Sequence, residues 1–281
     1  MKWLIFGHNG WIGKQIIKIL IDKNEEIINA NCRADNINDV EQIIINKCPD
    51  RVLCIIGRTH GDNFKTIDYL EQKGKLIENI NDNLFSPMIL AFICCKYNIH
   101  LTYMGTGCIF SGYDKEYDEN DLPDFFGSSY SVVKGYTDRL IKNFTNILNV
   151  RIRMPISDEL DNDRNFIYKI THYEKICSMN NSMTVLPELL PILVDMVINN
   201  ECGTINLVNP GYINHNEILE IYKEIIDPNF TWNNMTLEEQ DEILLAKRSN
   251  NILNTNKLQK LYPNVNNIKD SIKNLFNKIK N

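Results

Sequence analysis

Three side chains near the middle of the chain have the types and spacing of a carbonyl-reducing site. Tyr130 and Lys134 are four residues apart, so on a helix both would lie on one face. An ammonium beside a phenol favours the phenolate, which makes the tyrosine a better acid near neutral pH. Thr106 ends an apolar run, so its hydroxyl is expected at a strand's carboxyl end, where open α/β sheets bind ligands. Together these groups can protonate a carbonyl oxygen while a hydride reaches its carbon. The alternative is a chance spacing on a solvated helix face.

A glycine-rich turn close to the N-terminus predicts a dinucleotide site. It follows a short apolar run at residues 2–6 and precedes isoleucines at helical spacing. In a strand–turn–helix context, glycines let the backbone approach a pyrophosphate, and the helix N-terminus offers free N–H groups. The spacing is G-x-x-G-x-x-G rather than G-x-G-x-x-G, and a purely structural turn is the alternative. The cofactor-binding residues predicted here are Gly7, Asn9, Gly10, Trp11, Ile12 and Gly13.

The end of the second predicted strand, 26–31, bears on the choice of cofactor. An acidic residue there usually binds the ribose 2′-hydroxyl, whereas here Arg33 comes first and Asp35 follows. Because a guanidinium suits a 2′-phosphate, NADPH is the predicted cofactor. Asp35 is a candidate contact for adenine, and the alternative for Arg33 is an ordinary surface residue.

The third predicted strand, 51–56, ends in residues that leave room for a cofactor. Gly57, Arg58 and Thr59 are therefore predicted beside it. The following loop holds three polar residues that face either substrate or water, namely His60, Asp62 and Asn63.

Composition narrows the class of protein. The 281 residues carry a net charge of -6, which argues against a nucleic-acid-binding surface. The eight cysteines are scattered and suggest reduced thiols in a cytoplasmic protein, with no metal-binding spacing. No apolar run reaches the roughly 18 residues of a membrane span, so no membrane partner is expected.

Strands and helices alternate through the first 150 residues or so, which predicts an α/β fold with a doubly wound parallel sheet. The nucleotide-binding domain is expected to comprise 1–153 plus 187–210. A small, mainly helical substrate lobe is expected to comprise 154–186 plus 211–281. A helical stretch at 65–97 contains Asn83, whose amide either braces the catalytic strands or stays partly exposed.

Several longer strings are more specific than the glycine loop. They are Thr106-Gly107-Cys108-Ile109-Phe110, Arg151-Ile152-Arg153-Met154-Pro155-Ile156-Ser157, Arg164-Asn165-Phe166-Ile167, Asn181-Ser182-Met183-Thr184-Val185-Leu186, Asn214-His215-Asn216-Glu217-Ile218-Leu219 and Arg248-Ser249-Asn250-Asn251. With them the chain resembles, nearly end to end, the extended short-chain dehydrogenase/reductases with a Rossmann-type sheet. Within these it is similar to the dTDP-4-dehydrorhamnose reductase branch, and in particular to bifunctional UDP-4-keto-6-deoxyglucose 3,5-epimerase/4-reductases. One departure is Cys54-Ile55-Ile56-Gly57, where the family tends to have Asn-Ala-Ala-Gly.

The resemblance implies two reactions on UDP-4-keto-6-deoxy-D-glucose, a 3,5-epimerisation and then an NADPH-dependent 4-keto reduction to UDP-L-rhamnose. Cys108 and Lys169 would form the epimerase acid/base pair, with the base undecided between them. His172 competes for the role of Lys169. The alternatives are a buried core thiol for Cys108 and a surface lysine for Lys169. In the reduction, Tyr130 would protonate the oxygen that Thr106 hydrogen-bonds. Lys134 would tune Tyr130 and bind the nicotinamide ribose.

The resemblance also suggests contacts and partners. Asn165, Arg248 and Asn251 are candidates for the UDP-sugar, since diphosphate recognition favours a guanidinium; the alternative for Arg248 is a surface residue. A separate 4,6-dehydratase would supply the keto sugar, and a homodimer is expected because the family is often dimeric. The sequence does not distinguish UDP from dTDP as the nucleotide of the substrate. The rival interpretations are a 4-ketoreductase without epimerase activity and a non-catalytic cofactor-binding regulatory subunit.

Overall fold

A computed structural model describes residues 1–61 and 63–280, so Asp62 lies outside the described residues. The strands among the described residues, in chain order, are β1 (Lys2–Phe6), β2 (Glu26–Asn29), β3 (Arg51–Cys54), β4 (His100–Thr106), β5 (Gly112–Tyr117), β6 (Ile147–Ile152), β7 (Pro155–Ile156), β8 (Thr184–Val185), β9 (Gly203–Asn206) and β10 (Asn251–Leu253). Six of them form one parallel sheet in the order β2-β1-β3-β4-β6-β9. The predicted doubly wound α/β fold is confirmed.

Some of the helices cover both faces of this sheet, and others lie outside it. In chain order the helices are α1 (Trp11–Asp22), α2 (Ile37–Lys47), α3 (Leu76–Ile80), α4 (Ser86–Lys96), α5 (Ser129–Ile141), α6 (Phe166–His172), α7 (Leu186–Ile198), α8 (His215–Ile225), α9 (Leu237–Ile243), α10 (Asn256–Leu261) and α11 (Ile268–Lys280). A 3₁₀ turn at Ile67–Glu71 precedes α3, and a π-helical turn at Asn81–Phe85 joins α3 to α4. Among the described residues no helix combines the length and apolarity needed to cross a lipid bilayer.

The strands of the main sheet are buried because helices pack on both sides, as parallel sheets require. All seven residues of β4 and all six of β6 are buried. Helices α1 and α7 pack together on one face, and α2 and α4 on the other. In register, Phe6 is opposite Cys54, and Thr106 is opposite Ile152. The loops after β1, β3, β4 and β6 therefore meet at one edge of the sheet.

Part of the acidic stretch between Phe110 and Ser128 is a strand that local sequence patterns do not predict. Gly112–Tyr117 forms β5, which pairs with β10 in a second, two-stranded sheet. Four of its six residues are exposed, so it lacks the apolar alternation by which a half-buried strand is recognised. The strand is stabilised by the distant β10.

A separate apolar cluster lies beyond β6. It draws on β7, β8, α6, α8 and α11, and includes Ile156, Ile170, Ile218 and Phe276. Residues 251–261, assigned to the predicted substrate lobe, include β10, which pairs with β5, and α10, which packs near β9 of the main sheet. The division into two domains stays a prediction.

The glycine loop after β1 is close-packed, and this gives a first prediction. A Cβ atom at Gly13 would lie 2.3 Å from the carbonyl oxygen of Gly7. Gly13→Ala is therefore expected to displace the loop, lowering the free energy of unfolding by about 1–3 kcal/mol and weakening dinucleotide binding. Thermal unfolding and fluorescence titration with NADPH measure the two effects. Lys18→Ala, on the exposed face of α1, should leave both unchanged; a Gly13→Ala variant that matches it contradicts the prediction.

Candidate active site

The loop after β4 brings Thr106 and Cys108 beside Tyr130. The backbone N–H of Cys108 donates to Thr106 Oγ1 at 3.1 Å. The Thr106 side chain and the Cys108 sulfur are both close enough to the phenol of Tyr130 to act on its pKa. The predicted meeting of a hydroxyl, a thiol and a phenol at the carboxyl end of β4 is therefore present in the structure.

Helix α5 is fixed to this loop by its N-terminal serines. Ser128 caps the helix by accepting from the N–H of Ser131 at 3.1 Å. The hydroxyl of Ser131 then donates to the carbonyl oxygen of Cys108 at 2.7 Å. One short network thus positions Tyr130, on the first turn of α5, against residue 108.

Lys134 lies one turn after Tyr130 and is buried, with 3% of its surface exposed. Its Nζ donates to the hydroxyl of Tyr103 and to the carbonyl oxygen of Met104 at 3.1 Å. Burial lowers the pKa of Lys134 to about 8, against an opposing effect of Cys54, Asp138 and Cys108. Tyr103, on β4, is a partner that sequence reasoning missed, since a buried tyrosine on a strand resembles any other core residue.

The expectation that Lys134 lowers the pKa of Tyr130 is not met here. Burial raises the pKa of Tyr130, negative charge on Cys108 raises it further, and the nearby Thr106 side chain opposes the rise. Lys134 is not among these influences because its ammonium is directed to Tyr103 and Met104. In this structure Tyr130 is a neutral phenol, suited to donate a proton.

A chain of two asparagines connects the β3 loop to α5. Asn83 is fully buried on the π-helical turn, where its Oδ1 accepts from the N–H of Arg58 at 3.1 Å and its Nδ2 donates to the carbonyl of Arg58 at 3.0 Å. The same Nδ2 donates to Asn79 Oδ1, and Asn79 Nδ2 donates to Ser129 Oγ at 2.8 Å. Of the two alternatives for Asn83, the structure supports bracing rather than exposure.

Lys169, on α6, lies among cations rather than on an open surface. Burial lowers the pKa of Lys169 to about 8, with Arg164 and Arg248 acting in the same direction and Asp163 against them. Arg164 contacts the ring of His60 in the β3 loop. Within residues 1–61 and 63–280, no hydrogen bond joins Lys169 to Cys108. The competitor His172 is turned back onto α6, where its ring stacks on Tyr168 and Nδ1 is 2.8 Å from the Tyr168 carbonyl oxygen.

A cavity of about 450 Å³ opens beside this helix in the predicted substrate lobe. Its lining mixes apolar side chains with polar and charged ones. Arg248 lies at its wall and is ion-paired with the buried Asp68 of the 3₁₀ turn. Other lining residues include Tyr173, Glu174, Ile176, His215, Met235, Glu239 and Leu244.

Two predicted substrate residues are used within the protein. Asn165 is fully buried and caps α6, accepting from the N–H of Ile167, while its Nδ2 donates to the carbonyls of Ser157 and Glu159. Asn251 is also fully buried and its Nδ2 donates to the carbonyls of Gly107 and Phe110, each at 3.0 Å. Both hold loops of the site, and direct contact of either with substrate stays a prediction.

The residues present at the N-terminal loop fit a dinucleotide. Helix α1 begins at Trp11 with Gly10 as its N-cap and no side-chain cap, so its first N–H groups have no intrahelical acceptor. His8 Nδ1 is buried without a partner among the described residues. A Cβ at Gly57 would meet only Asn83 Oδ1, at 3.9 Å, so space is open there.

The other predicted cofactor residues surround this loop. Arg33 is bonded to Asp35, with Nη2–Oδ2 at 2.7 Å, and lies 3.6 Å from Asp82. Arg58 Nε donates to the same Asp82 at 2.9 Å. Two guanidinium groups thus meet at one carboxylate beyond the ends of β2 and β3. The remaining positions are an exposed Asn9, Ile12 packed on the core, Trp11 bonded to Glu159, and Thr59 beside His60.

Comparison with known proteins decides the family. Residues 1–168 match the RmlD substrate binding domain. The chain belongs to the RmlD family of nucleotide-sugar reductases. The predicted resemblance to the dTDP-4-dehydrorhamnose reductase branch is thereby confirmed at family level.

Several relatives of this RmlD-family chain match it along almost its whole length. The crystal structure of the L780 UDP-rhamnose synthase from Acanthamoeba polyphaga mimivirus is 55% identical, with a TM-score of 0.97 over 99% of both chains. A bifunctional dTDP-4-dehydrorhamnose 3,5-epimerase/dTDP-4-dehydrorhamnose reductase from Arabidopsis thaliana is 40% identical over 96% of this chain and 91% of its own. In the Arabidopsis thaliana trifunctional protein RHM1, with 4,6-dehydratase, epimerase and reductase in its name, the match is 39% identical and covers 97% of this chain but 41% of that protein.

Asp68 of this RmlD-family chain is a residue that sequence reasoning missed, because a lone aspartate in a loop gives no signal. It is 6% exposed, accepts from the N–H of Ala246 at 2.9 Å, and binds the guanidinium of Arg248. Burial alone would raise the pKa of Asp68, but hydrogen bonds from Thr66 and Arg248 outweigh this and lower it.

Replacing this carboxylate should therefore loosen Arg248 without touching the reacting groups. We expect Asp68→Asn to raise KM for the nucleotide sugar about tenfold, equivalent to ~1.4 kcal/mol, with kcat little changed. Steady-state kinetics measure both parameters. Asp22→Asn, at the exposed end of α1, makes the same charge change and serves as the control. A fall in kcat with KM unchanged would assign Asp68 to the chemical step instead.

Proposed function

We propose that this chain catalyses 3,5-epimerisation and NADPH-dependent 4-keto reduction of UDP-4-keto-6-deoxy-D-glucose, giving UDP-L-rhamnose. The observation that carries the proposal is the meeting of Thr106, Cys108 and Tyr130 at the carboxyl end of β4. A phenol and a thiol that share one site can serve two proton transfers on one carbonyl compound. The Arabidopsis relative has an epimerase and a reductase in its name, and the mimivirus relative is named a UDP-rhamnose synthase, which supports the proposal.

In the reduction, Tyr130 gives a proton to the oxygen at C4. The phenol is neutral here and lies close to Thr106, whose hydroxyl can also hold the substrate carbonyl. Lys134, anchored by Tyr103 and Met104, supplies positive charge one helical turn away. Its proposed role is to bind the nicotinamide ribose, because its ammonium does not act on the phenol of Tyr130 in this structure.

In the epimerisation, protons leave and return at C3 and C5, the carbons next to the carbonyl. Cys108 and Lys169 are the proposed acid/base pair. The lowered pKa of Lys169, about 8, lets it exchange protons near neutral pH. Thr106 and Tyr130 are donors for the enolate oxygen, which a site must stabilise while the carbon is deprotonated.

The nucleotide part of the substrate is proposed to occupy the 450 Å³ cavity. Arg248 would meet the diphosphate, because its guanidinium is at the cavity wall and oriented by Asp68. An upstream 4,6-dehydratase activity must supply the keto sugar.

NADPH is proposed to bind along the glycine loop, with its pyrophosphate at the N-terminus of α1. When bound, it supplies the hydride to C4. Arg33 and Arg58 would hold the 2′-phosphate, since both guanidinium groups reach one carboxylate, Asp82, and a phosphate can replace it as their acceptor.

Removing one of these cations tests the cofactor assignment. We expect Arg33→Ala to raise KM for NADPH roughly tenfold or more, because a charge-assisted hydrogen bond contributes about 1.5–3 kcal/mol, and to leave KM for NADH unchanged. Both values come from steady-state kinetics with each cofactor. Lys47→Ala removes an exposed positive charge from α2 and should have no effect. Equal losses with NADPH and NADH would exclude a role for Arg33 at the 2′-phosphate.

One incubation tests the proposed activity. The protein is mixed with UDP-4-keto-6-deoxy-D-glucose and NADPH, and the product is read by mass spectrometry and NMR. UDP-L-rhamnose is the expected product. A 4-reduced sugar with unchanged configuration at C3 and C5 would reduce the proposal to a ketoreductase, an alternative favoured by the missing hydrogen bond between Lys169 and Cys108 within residues 1–61 and 63–280. No turnover with UDP- or dTDP-linked keto sugars would refute both.

A further inference from the structure

Arg153 is a buried guanidinium next to the loop that carries Cys108. It follows β6 and is 1% exposed. Its Nη1 donates to the carbonyl oxygen of Gly107 at 2.8 Å. The side-chain stem is so close that a Cβ at Gly107 would lie 2.9 Å from Arg153 Cγ and Cδ. The charge therefore lies against the peptide that immediately precedes Cys108.

The hydrogen-bond acceptors of Arg153 are all neutral. Besides Gly107 they are the carbonyl of Ser249 at 2.9 Å, the Ser249 hydroxyl at 3.3 Å, and Asn181 Oδ1. The Nε has no partner, and no carboxylate is within ion-pair distance in the described part of the chain. Arg151, two residues earlier and equally buried, instead has a carboxylate partner, with Nη2–Oδ1 of Asp138 at 2.7 Å.

A buried charge without a counter-charge is costly, so a negative group is expected to form beside it. Two titratable groups face Arg153, namely Cys108 and Tyr113 of β5. Tyr113 is 43% exposed, its hydroxyl donates to the carbonyl of Asn180 at 2.8 Å, and burial raises its pKa, so it stays neutral. Cys108 is therefore the remaining group whose deprotonation would balance the charge.

We propose that Arg153 is the counter-cation of a Cys108 thiolate and thereby makes Cys108 the base of the epimerisation. This inference rests on the proposed function. Two further titratable groups, Tyr130 and Lys134 of α5, also face the sulfur. Lys134 is held by Tyr103 and Met104, whereas Arg153 binds the residue that precedes Cys108. Arg153 is a positioning residue, since it acts through the sulfur.

The proton balance assigns the partner role to Lys169. The thiolate takes a proton from the carbon beside the carbonyl, and the electrons of that C–H bond move to the carbonyl oxygen as an enolate. The ammonium of Lys169 then protonates the carbon on the opposite face and becomes an amine. Solvent carries the proton from the thiol back to that amine, which restores both groups.

The test needs neither substrate nor cofactor. Alkylation by iodoacetamide, in which the thiolate sulfur displaces iodide, is followed over a range of pH for each cysteine by peptide mass spectrometry. The exposed Cys48 and Cys95 are internal references. In the wild-type protein, the rate at Cys108 is expected to reach half its plateau about one pH unit or more below the references. Limited access lowers the plateau but leaves the half-point unchanged.

Substitutions of Arg153 and Tyr113 separate the effect of the Arg153 charge from an effect on the local structure. Arg153→Gln should move the Cys108 half-point up by about one pH unit, Arg153→Lys should largely restore it, and Tyr113→Phe should leave it in place. A Cys108 half-point equal to that of Cys95 in the wild type overturns the proposal even if Arg153→Gln fails to fold. So does a shift with Tyr113→Phe but none with Arg153→Gln. A low half-point in a protein without epimerase activity would reject the proposed function while leaving the counter-cation intact.

Discussion

Replacing Tyr130 by phenylalanine is expected to slow 4-keto reduction by about 10²–10⁴-fold, the usual contribution of a positioned proton donor. The variant loses only the hydroxyl that lies close to Thr106 and Cys108. The ring remains, so α5 and its serine cap should be unaffected. The loss of NADPH absorbance measures the reduction. Exchange of protons at C3 and C5 with deuterated solvent, measured by mass spectrometry, should continue at a reduced rate, because Thr106 remains as a donor to the enolate oxygen.

A second tyrosine on the same helix provides the control. Tyr136 is 53% exposed on α5, and Tyr136→Phe removes the same atom from a solvated position. It should reduce the keto sugar at the wild-type rate. If Tyr130→Phe also does so, Tyr130 is not the proton donor and the reductive half of the proposed function fails.

Replacing Cys108 by alanine is expected to slow epimerisation by about 10²–10⁴-fold, because it removes one of the two groups that move protons. Thr106, Tyr130 and Lys134 keep their own partners in the structure. Reduction should therefore survive, and the product should change from UDP-L-rhamnose to a 4-reduced sugar that is not inverted at C3 and C5. NMR of the product and solvent deuterium exchange distinguish these outcomes.

An exposed thiol provides the matched control for this variant. Cys95→Ala, at the C-terminal end of α4, should retain both activities. Wild-type flux from the unepimerised substrate in Cys108→Ala would show that Cys108 is not needed for inversion. The chain would then be interpreted as a ketoreductase, with the thiol only packing beneath the β4 loop.

Local sequence patterns were sufficient to predict the main sheet because its strands are recognisable from their own sequences. Apolar runs such as Lys2–Phe6 and the alternation with helices predict a parallel sheet before any contact is known. Strand β5 was not predicted from the sequence because its partner, β10, is 134 or more residues away, with Asn251 opposite Gly112. The strand is stabilised by that long-range pairing, and the charged sequence of β5 has no local pattern that predicts a strand.

The same distinction applies to the candidate site. The spacing of Tyr130 and Lys134 on one helix was readable, as was the position of Thr106 at a strand end. The spacing could not reveal where the ammonium of Lys134 points, because the groups that accept its hydrogen bonds, Tyr103 and Met104, belong to another element. The expected lowering of the Tyr130 pKa failed for this reason.

Residue types and local periodicity by themselves determined the parallel α/β fold, the glycine loop and the reactive groups after β4. The tertiary structure alone decided which buried groups face one another. It paired Asp68 with Arg248, joined Asn83 to the β3 loop, and placed Arg153 without a carboxylate beside Cys108. Each of these depends on residues brought together across the fold, and electrostatic interactions in a buried site depend on that distance and burial.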